Sequence, residues 1–561
     1  MQRSKGGKEK FDSSKEWRWE QTRELFTDWV AEWPTVSGFK KYLLWDGFPI
    51  WWVTNLVQKD AFTNNAWYIE LHRRLKGERA KRFRPKNSFF VLFRLLLDFL
   101  KHSVFWLLVR SLPPKKAISE KRIWFHGLEY NIIESKGLLF DRMYEGSYLL
   151  DEKFDYTSGF LVRLNFNKAD ILRHRSWRRK ISSYHARFER DLVFLDSYLR
   201  YSDIVEIYIS IIKNYIKFLI FWGRKSNRKI TVGAVEFSDI VFSELQNSFL
   251  GIIPWSLLYA AMFQRWLDEQ EKSPVIVNYG ETLSPIRAVN YKVQNHISKP
   301  IWVTIQHATA YRNKLGLYHR YSEFNKLPDN SDDFLSPMPD YYFIHGKQFE
   351  DILREYYPKE RIVKIGCLKY DSLYALKREI RKSKKKPIRG TNVLVLAPSI
   401  GDEEMILRLF SGLDSIDGWR LVLSKHPIVP ESHIKKIIDE NDIRISLDRI
   451  PSMSTKDLIP TSTAVLTGFS GIALESVYLG VPAIRVLDPD IPPAVEQEPG
   501  IPWIETQSEL LDLLRHYRQK PKSFLADRTI DQTIQDFFFK IDGKVAERFW
   551  INLDTIIKGK V

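Results

Sequence analysis

From residue 274 onward, short apolar runs alternate with longer stretches whose apolar positions recur every three or four residues. "PVIVNYGE" (274–281), "KPIWVTIQHAT", "PDYYFIHG" and "RIVKIGCL" read as buried strands, and the segments between them as helices. After 390 the alternation restarts. "TNVLVLAPS", "WRLVLSKHP", "IRISLD", "TAVLTGFS" and "VPAIRVLD" are strands, separated by the helical "DEEMILRLFSGLDSI", "ESHIKKIIDEN" and "GIALESVYLG". Strands and helices alternating at this spacing predict parallel, doubly wound sheets. The expected fold is therefore α/β, with two Rossmann-like domains facing a cleft and a mainly helical N-terminal extension.

The same pattern sets the boundaries. Residues 1–120 are a Trp-rich helical extension, with "WEQTRELFTDWVAEW" and "AWYIELHRRLKG" showing the helical period. Residues 121–376 form the first Rossmann-like domain, with helical insertions between Arg187 and Gln270. The run "KREIRKSKKKPIRG" has no apolar periodicity and contains Pro387 and Gly390, so 377–390 reads as a solvated basic linker. Residues 391–520 form the second domain, and 521–561 are helices expected to pack back on the protein.

Composition narrows the function. The chain has 561 residues, too many for one core, and its 44% hydrophobic content with 18 Trp, 25 Tyr and 35 Phe excludes a disordered protein. A net charge of +17 favours anionic partners. No zinc ribbon, RNP strand or helix-turn-helix pattern is present, which turns the choice away from nucleic acid. One cysteine, Cys367, excludes an intrachain disulfide and suits a reducing cytoplasm. The opening residues lack the apolar core of a signal peptide. The apolar stretch 87–116 is interrupted by Arg94, Asp98, Lys101 and His102, so a membrane span is rejected. Two readings of it stay open: a basic amphipathic helix on a bilayer, or a helix covered by the protein or a partner.

In doubly wound sheets ligands bind at the carboxyl ends of strands. Those ends carry Glu281, Gln306, His307 and His345 in the first domain, and Ser399, Lys425, His426, Ser470 and Glu475 in the second. "TGFSG" must turn sharply from strand to helix. Gly468 and Gly471 allow close backbone approach, Ser470 is placed to cap the helix, and the helix start attracts an anion. Glu475, one turn deeper, could accept from ribose hydroxyls; the plainer alternative is a capped turn with a solvated glutamate. Lys425 supplies charge to a phosphate, and His426 can hydrogen-bond or protonate one. Beyond Gln306 and His307 the loop carries Tyr311, Arg312 and Lys314. His307 is a base, an orienting group or a structural histidine; Glu281 is a general base or a helix-start carboxylate. The acidic 402–404 triplet reads as helix-dipole complementation, and no metal-ligand spacing stands out.

These motifs resemble the two-Rossmann (GT-B) glycosyltransferases of bacterial surface-carbohydrate synthesis, of the O-antigen or capsule type, over roughly residues 270–510. "TGFSGIALESVYLGVPAI" is similar to their donor-binding turn and helix, "SKHP" to the His-Pro motif of sialyl- and Kdo-transferases, "IQHAT" to their Gln-His-Gly strand end, and "GCLKYDSL" to the signature before the interdomain segment. "LLWDGFPIWWVTNLVQKD" resembles an O-antigen-type biosynthesis family. The resemblance implies that Ser399, Lys425, His426, Gly468, Ser470, Gly471 and Glu475 bind a nucleotide-sugar donor. Glu281 and His307 would be catalytic, and Gln306 and Arg312 would lie on the acceptor side. Ala308 departs from the motif's glycine. No metal or cofactor is expected beyond the nucleotide-sugar co-substrate, and the His-Pro motif favours a CMP-activated ulosonic acid. The acceptor would be a surface glycan or glycolipid reached at the inner face of the cytoplasmic membrane, with 87–116 as the peripheral contact. Three alternatives stand beside this: a CDP-glycerol or ribitol phosphotransferase, a sugar-nucleotide 2-epimerase of the same fold, and a non-catalytic scaffold.

Overall fold

The computed structural model describes residues 18–559 apart from 59–65, 80, 111–121, 136, 165–173, 189, 225–228, 281–282, 327–333, 384–391, 427–428, 450–452, 489, 494 and 521–528. Two parallel sheets organise it. The first holds β1 (Arg122–Leu128), β2 (Thr157–Arg163), β3 (Asp191–Phe194), β4 (Val275–Asn278), β5 (Ile301–Ile305), β6 (Tyr341–Ile344) and β7 (Ile362–Lys364), in the order β7-β6-β5-β4-β1-β2-β3. The second holds β8 (Asn392–Leu396), β9 (Trp419–Leu423), β10 (Leu447–Asp448), β11 (Ala464–Thr467), β12 (Ala483–Val486) and β13 (Trp503–Ile504), in the order β10-β9-β8-β11-β12-β13. Every neighbouring pair in both sheets is parallel. The α/β architecture of two Rossmann-like domains is thus as the alternation of apolar runs predicts. Strands covered on both faces by helices have no polar side, so they read as continuous apolar runs.

The N-terminal helices are built into the first domain rather than appended to it. Phe26, Trp51 and Trp52 share one continuous core with Trp124 of β1, Trp266 and Trp302 of β5. The second domain has its own core around Leu394, Val465 and Ile484.

The connection between the domains differs from expectation. Residues Asp371–Ser383 form a helix, so the first half of the 377–390 run is regular structure; 384–390 lie outside the described residues. Leu373, Leu376 and Ile380 recur at helical spacing and pack on the second core. Asp371 accepts hydrogen bonds from the Val545 and Ala546 N–H groups and ties the helix start to the C-terminal segment. Lys377, Arg378, Arg381 and Lys382, part of the basic run that suggested a coil, occupy the rest of the helix circumference.

Two helices close the chain. Thr529–Phe538 packs on the second core through Phe537 and Phe538. Val545–Gly559 crosses to the first domain, where Phe549, Trp550 and Leu553 enter the core and the Trp550 indole N–H donates to the Ser147 carbonyl at 2.7 Å.

Candidate functional site

Each sheet reverses its strand order once, between β1 and β4 in the first and between β8 and β11 in the second. Such reversals leave a crevice at the carboxyl ends of the strands. The second crevice is lined by the loop after β8, carrying Ser399 and Asp402, and by the Gly468–Gly471 turn after β11.

That turn is held from two sides. Asp402 is fully buried; its Oδ1 accepts the Ser399 N–H at 2.6 Å and its Oδ2 the Phe469 N–H at 2.7 Å. Burial lifts its carboxyl to about 6, against the pull of these two N–H groups. A Cβ on Gly468 would stand 2.3 Å from Asp402 Oδ2 and 2.6 Å from Met405 Cε, which is why glycine occupies the position. On the other side lies Arg485 of β12, with no exposed surface. Its Nη1 donates to the carbonyls of Gly468 at 2.7 Å and Ser470 at 2.6 Å. Its Nε and Nη2 each meet a carboxylate oxygen of the equally buried Glu498 at 2.8 Å. Tyr311 of the first domain donates its hydroxyl proton to Glu498, so this network also joins the domains.

The helix after the turn runs Ile472–Leu479 and begins at Gly471 rather than Ser470. Ser470 Oγ still accepts the Ile472 N–H, at 3.3 Å. Gly471 lies against the first domain: a Cβ there would be 3.4 Å from Tyr370 Oη and 3.8 Å from Thr309 Oγ1. The helix stops at Gly480, whose φ of 85° fits the left-handed region glycine tolerates.

Glu475 is partly buried rather than freely solvated. Burial raises its carboxyl, opposed by Lys369, by the Tyr370 hydroxyl and by Lys456. Facing it from the first domain is Glu145, held at a φ of 39°. Burial raises the Glu145 carboxyl too, against Lys456 and Ser372, and its Oε2 is buried with no hydrogen-bond partner among the described residues. Lys456 Nζ lies 3.8 Å from Glu145 Oε1 and donates to Ser372 Oγ. Two carboxylates and two lysines from both domains and their connection therefore meet one helical turn from the Gly468–Gly471 backbone.

The other expected residues divide. His426 lies half-buried at the end of β9, and burial, Arg142 of the first domain and Lys425 hold it below the ordinary histidine value, so its imidazole is neutral near pH 7. Lys425 bonds back into its own loop, donating to the Val429 carbonyl at 2.9 Å with Glu431 3.7 Å away. Ser399 is engaged through its backbone by Asp402. His307 is partly exposed just after β5, its ring 6.4 Å from that of Tyr279. Gln306 is spent inside the domain: its Nε2 donates to the Ala308 carbonyl at 2.7 Å and its Oε1 accepts the His345 N–H at 2.8 Å. His345, driven well below the usual range by burial, donates from Nε2 to the Gln306 carbonyl. Arg312 pairs with Glu355 and lies over the Tyr318 ring. Glu281 lies outside the described residues. Among the described residues no group of three or more His, Cys, Asp or Glu is placed to hold a metal ion.

Beneath the loop that carries Arg142 and Glu145 sits a buried polar cluster. Tyr279 Oη donates to Asp141 Oδ2 at 3.0 Å and accepts the Leu128 N–H and Asn131 Nδ2 at 2.9 and 2.8 Å. Asp141 also accepts the Met143 N–H at 2.9 Å, and burial pushes its carboxyl up to about 7. A carboxyl raised in the folded state contributes stability that is complete below about pH 4 and is lost as pH rises through about 7. Asp141→Asn should therefore gain on the natural protein as pH rises from 4 to 7.5, by up to about 4 kcal/mol. Urea midpoints at the two pH values measure this, and parallel pH profiles for the two proteins would refute it.

Two Rossmann-ordered sheets, joined by one helical connection and by a C-terminal helix that crosses back, form an architecture of the GT-B type. No protein-family model matches the chain, and no curated protein matches it in sequence. Solved structures with a similar fold include a UDP-GlcNAc 2-epimerase from Neisseria meningitidis bound to UDP-GlcNAc, at 11% identity and a TM-score of 0.41 over 78% of this chain and 99% of that one. The wall teichoic acid polymerase TagF is similar at 13% identity and a TM-score of 0.39, over 84% of this chain and 98% of that one. The S. aureus MnaA–UDP structure gives 11% identity and a TM-score of 0.42, over 78% and 97%.

Proposed function

We propose that the protein is a metal-independent glycosyltransferase that moves a sugar from a nucleotide-sugar donor to a surface glycan or lipid-linked acceptor. The observation that carries this reading is the Gly468–Gly471 turn. Asp402 and Arg485 hold it rigid from both sides, at the strand-order reversal, facing the Thr309 end of the His307 loop. A backbone held in place before the ligand arrives loses little entropy on binding.

In this reading the donor phosphates lie at the helix start beside Gly471, where the dipole and His426 meet their charge. Glu475 and Glu145, raised by burial with Lys369 and Lys456 opposing the rise, exchange hydrogen bonds with sugar or ribose hydroxyls. His307, on the acceptor side, takes the proton from the attacking hydroxyl. Lys425, turned into its own loop, contributes only to the local positive field. Among donors, a CMP-activated ulosonic acid is the first to test.

Binding of CMP, CDP, UDP and GDP to the full chain, followed by thermal shift, tests the reading. One nucleotide should raise the melting temperature by mass action. His426→Ala should weaken that nucleotide roughly 10–100-fold, the scale of a hydrogen bond to a charged group. A flat panel, or His426→Ala binding as tightly as the natural protein, would count against the donor site. Sugar transfer with the matching donor then separates a transferase from an epimerase or a scaffold.

A further inference from the structure

The helix Ser88–Val109 buries only Val91, Leu95, Phe105 and Val109. On its other side Phe89, Phe93, Leu96, Leu100, Val104 and Leu107 are 38–78% exposed. At 100° per residue these six fall within about a quarter of the circumference, and they extend over about 27 Å. Monomers rarely leave so continuous an apolar strip uncovered. The adjoining helix Tyr201–Gly223 adds a second strip, with Ile209, Ile216 and Ile220 exposed. The two are fastened by His102 Nδ1 and Tyr208 Oη at 2.7 Å and by the Trp106 and Tyr201 rings at 5.3 Å.

Neither strip belongs to a span: among the described residues no helix is long and apolar enough to cross a membrane. Charge identifies what covers them. Arg94 and Lys101 stand along one edge of the first strip, where long cationic side chains reach from an apolar surface to phosphate groups. Immediately before the helix, Arg79, Lys81, Arg82 and Arg84 are all exposed. A second copy of this chain, docked face to face with the helices parallel, would set two such basic segments against each other. An anionic lipid surface neutralises them.

We infer that the Ser88–Val109 and Tyr201–Gly223 helices dock on the surface of a bilayer rich in anionic phospholipid, with the apolar strip of the first helix sunk among the acyl chains. The inference does not depend on the chemistry proposed for the cleft. It has a geometric consequence for it. Lys101 and His102 line a small cavity of about 130 Å³ with Leu128 and Arg163, at the carboxyl ends of β1 and β2. The Leu128 N–H bonds Tyr279, whose ring stands 6.4 Å from that of His307. The docking helix thus borders the end of the first sheet that opens on the cleft.

Co-sedimentation of the full chain with vesicles tests the inference. It should pellet with phosphatidylcholine vesicles containing phosphatidylglycerol, at least tenfold less with phosphatidylcholine alone, and less as salt is raised from 0.1 to 0.5 M, where screening is stronger. Phe93→Glu with Leu100→Glu, both at exposed positions, should cut binding at least tenfold with an unchanged melting temperature. Arg82→Gln with Arg84→Gln should reduce binding to the anionic vesicles only. Three results would overturn it: no pelleting with either vesicle, equal pelleting with both, or full binding by the Phe93→Glu, Leu100→Glu protein. A dimer that this pair of substitutions turns into a monomer, with no vesicle binding by the natural protein, would assign the face to a second copy instead.

Discussion

Arg485→Ala is expected to destabilise the protein by about 3–5 kcal/mol and to abolish nucleotide binding, because it leaves Glu498 as an uncompensated buried charge. The side chains of Arg485 and Glu498 have no exposed surface, and their two contacts at 2.8 Å, with Tyr311, the turn carbonyls and the charge of Asp402, offset their burial. The same substitution releases the carbonyls of Gly468 and Ser470, the first of them buried, which lose their donor. The two effects can be separated. Arg485→Met combined with Glu498→Leu replaces the ion pair with apolar groups of similar size and should recover most of the lost stability. It cannot restore the donors to the turn, so nucleotide binding should stay absent. An Arg485→Ala protein within 1 kcal/mol of the natural one, or one that still binds nucleotide, would show that the network does not hold the turn.

His307→Ala is expected to lower turnover by roughly 10²–10⁴-fold, the contribution of a positioned general base, while nucleotide affinity changes little. The split follows from placement. His307 lies on the first domain's side of the cleft, partly exposed, two residues before the Thr309 that faces Gly471. The Gly468–Gly471 turn takes its rigidity from Asp402 and Arg485 instead. Steady-state kinetics with titration of the nucleotide measures both quantities. A variant that loses affinity and turnover together would place His307 in the donor pocket, and one with unchanged turnover would remove it from the chemistry.

The strands β4 to β12 were legible because each is a short, mainly apolar run; β2 and β13 gave no such signal, and β3 (Asp191–Phe194) falls in a stretch that reads as helical. "TGFSG" was legible because two glycines flanking a serine between an apolar strand and a helix mark a turn, although Gly468 proves to be required by the closeness of Asp402 and Met405 rather than by its dihedral angles. What held that turn was not. Asp402 opens an acidic triplet that reads as helix-dipole complementation; its partners Ser399 and Phe469 are identified only once β8 and β11 lie side by side. Arg485 did leave a sign in "VPAIRVLD", since an arginine inside a strand buried on both faces requires a partner. Its partner Glu498 lies beyond the strand, and Tyr311 lies in the other domain. Glu145 and Lys456 meet across more than half of the chain. The basic run at 377–390 misled for a simpler reason: its charges hid Ile380, which continues the apolar face begun at Leu373 and Leu376.

The helix Val545–Gly559 carries a consequence for how the protein is made. Phe549, Trp550 and Leu553 belong to the core of the first domain, although they follow the whole second sheet along the chain. Domains usually complete in the order in which they leave the ribosome. Here the first domain waits, its core open beside Phe125 and Phe343, until the second has been translated in full. The buried members of the second core end at Phe538, whereas the first core closes only with Phe549, Trp550 and Leu553, so the cleft between the domains is assembled in the event that completes the first.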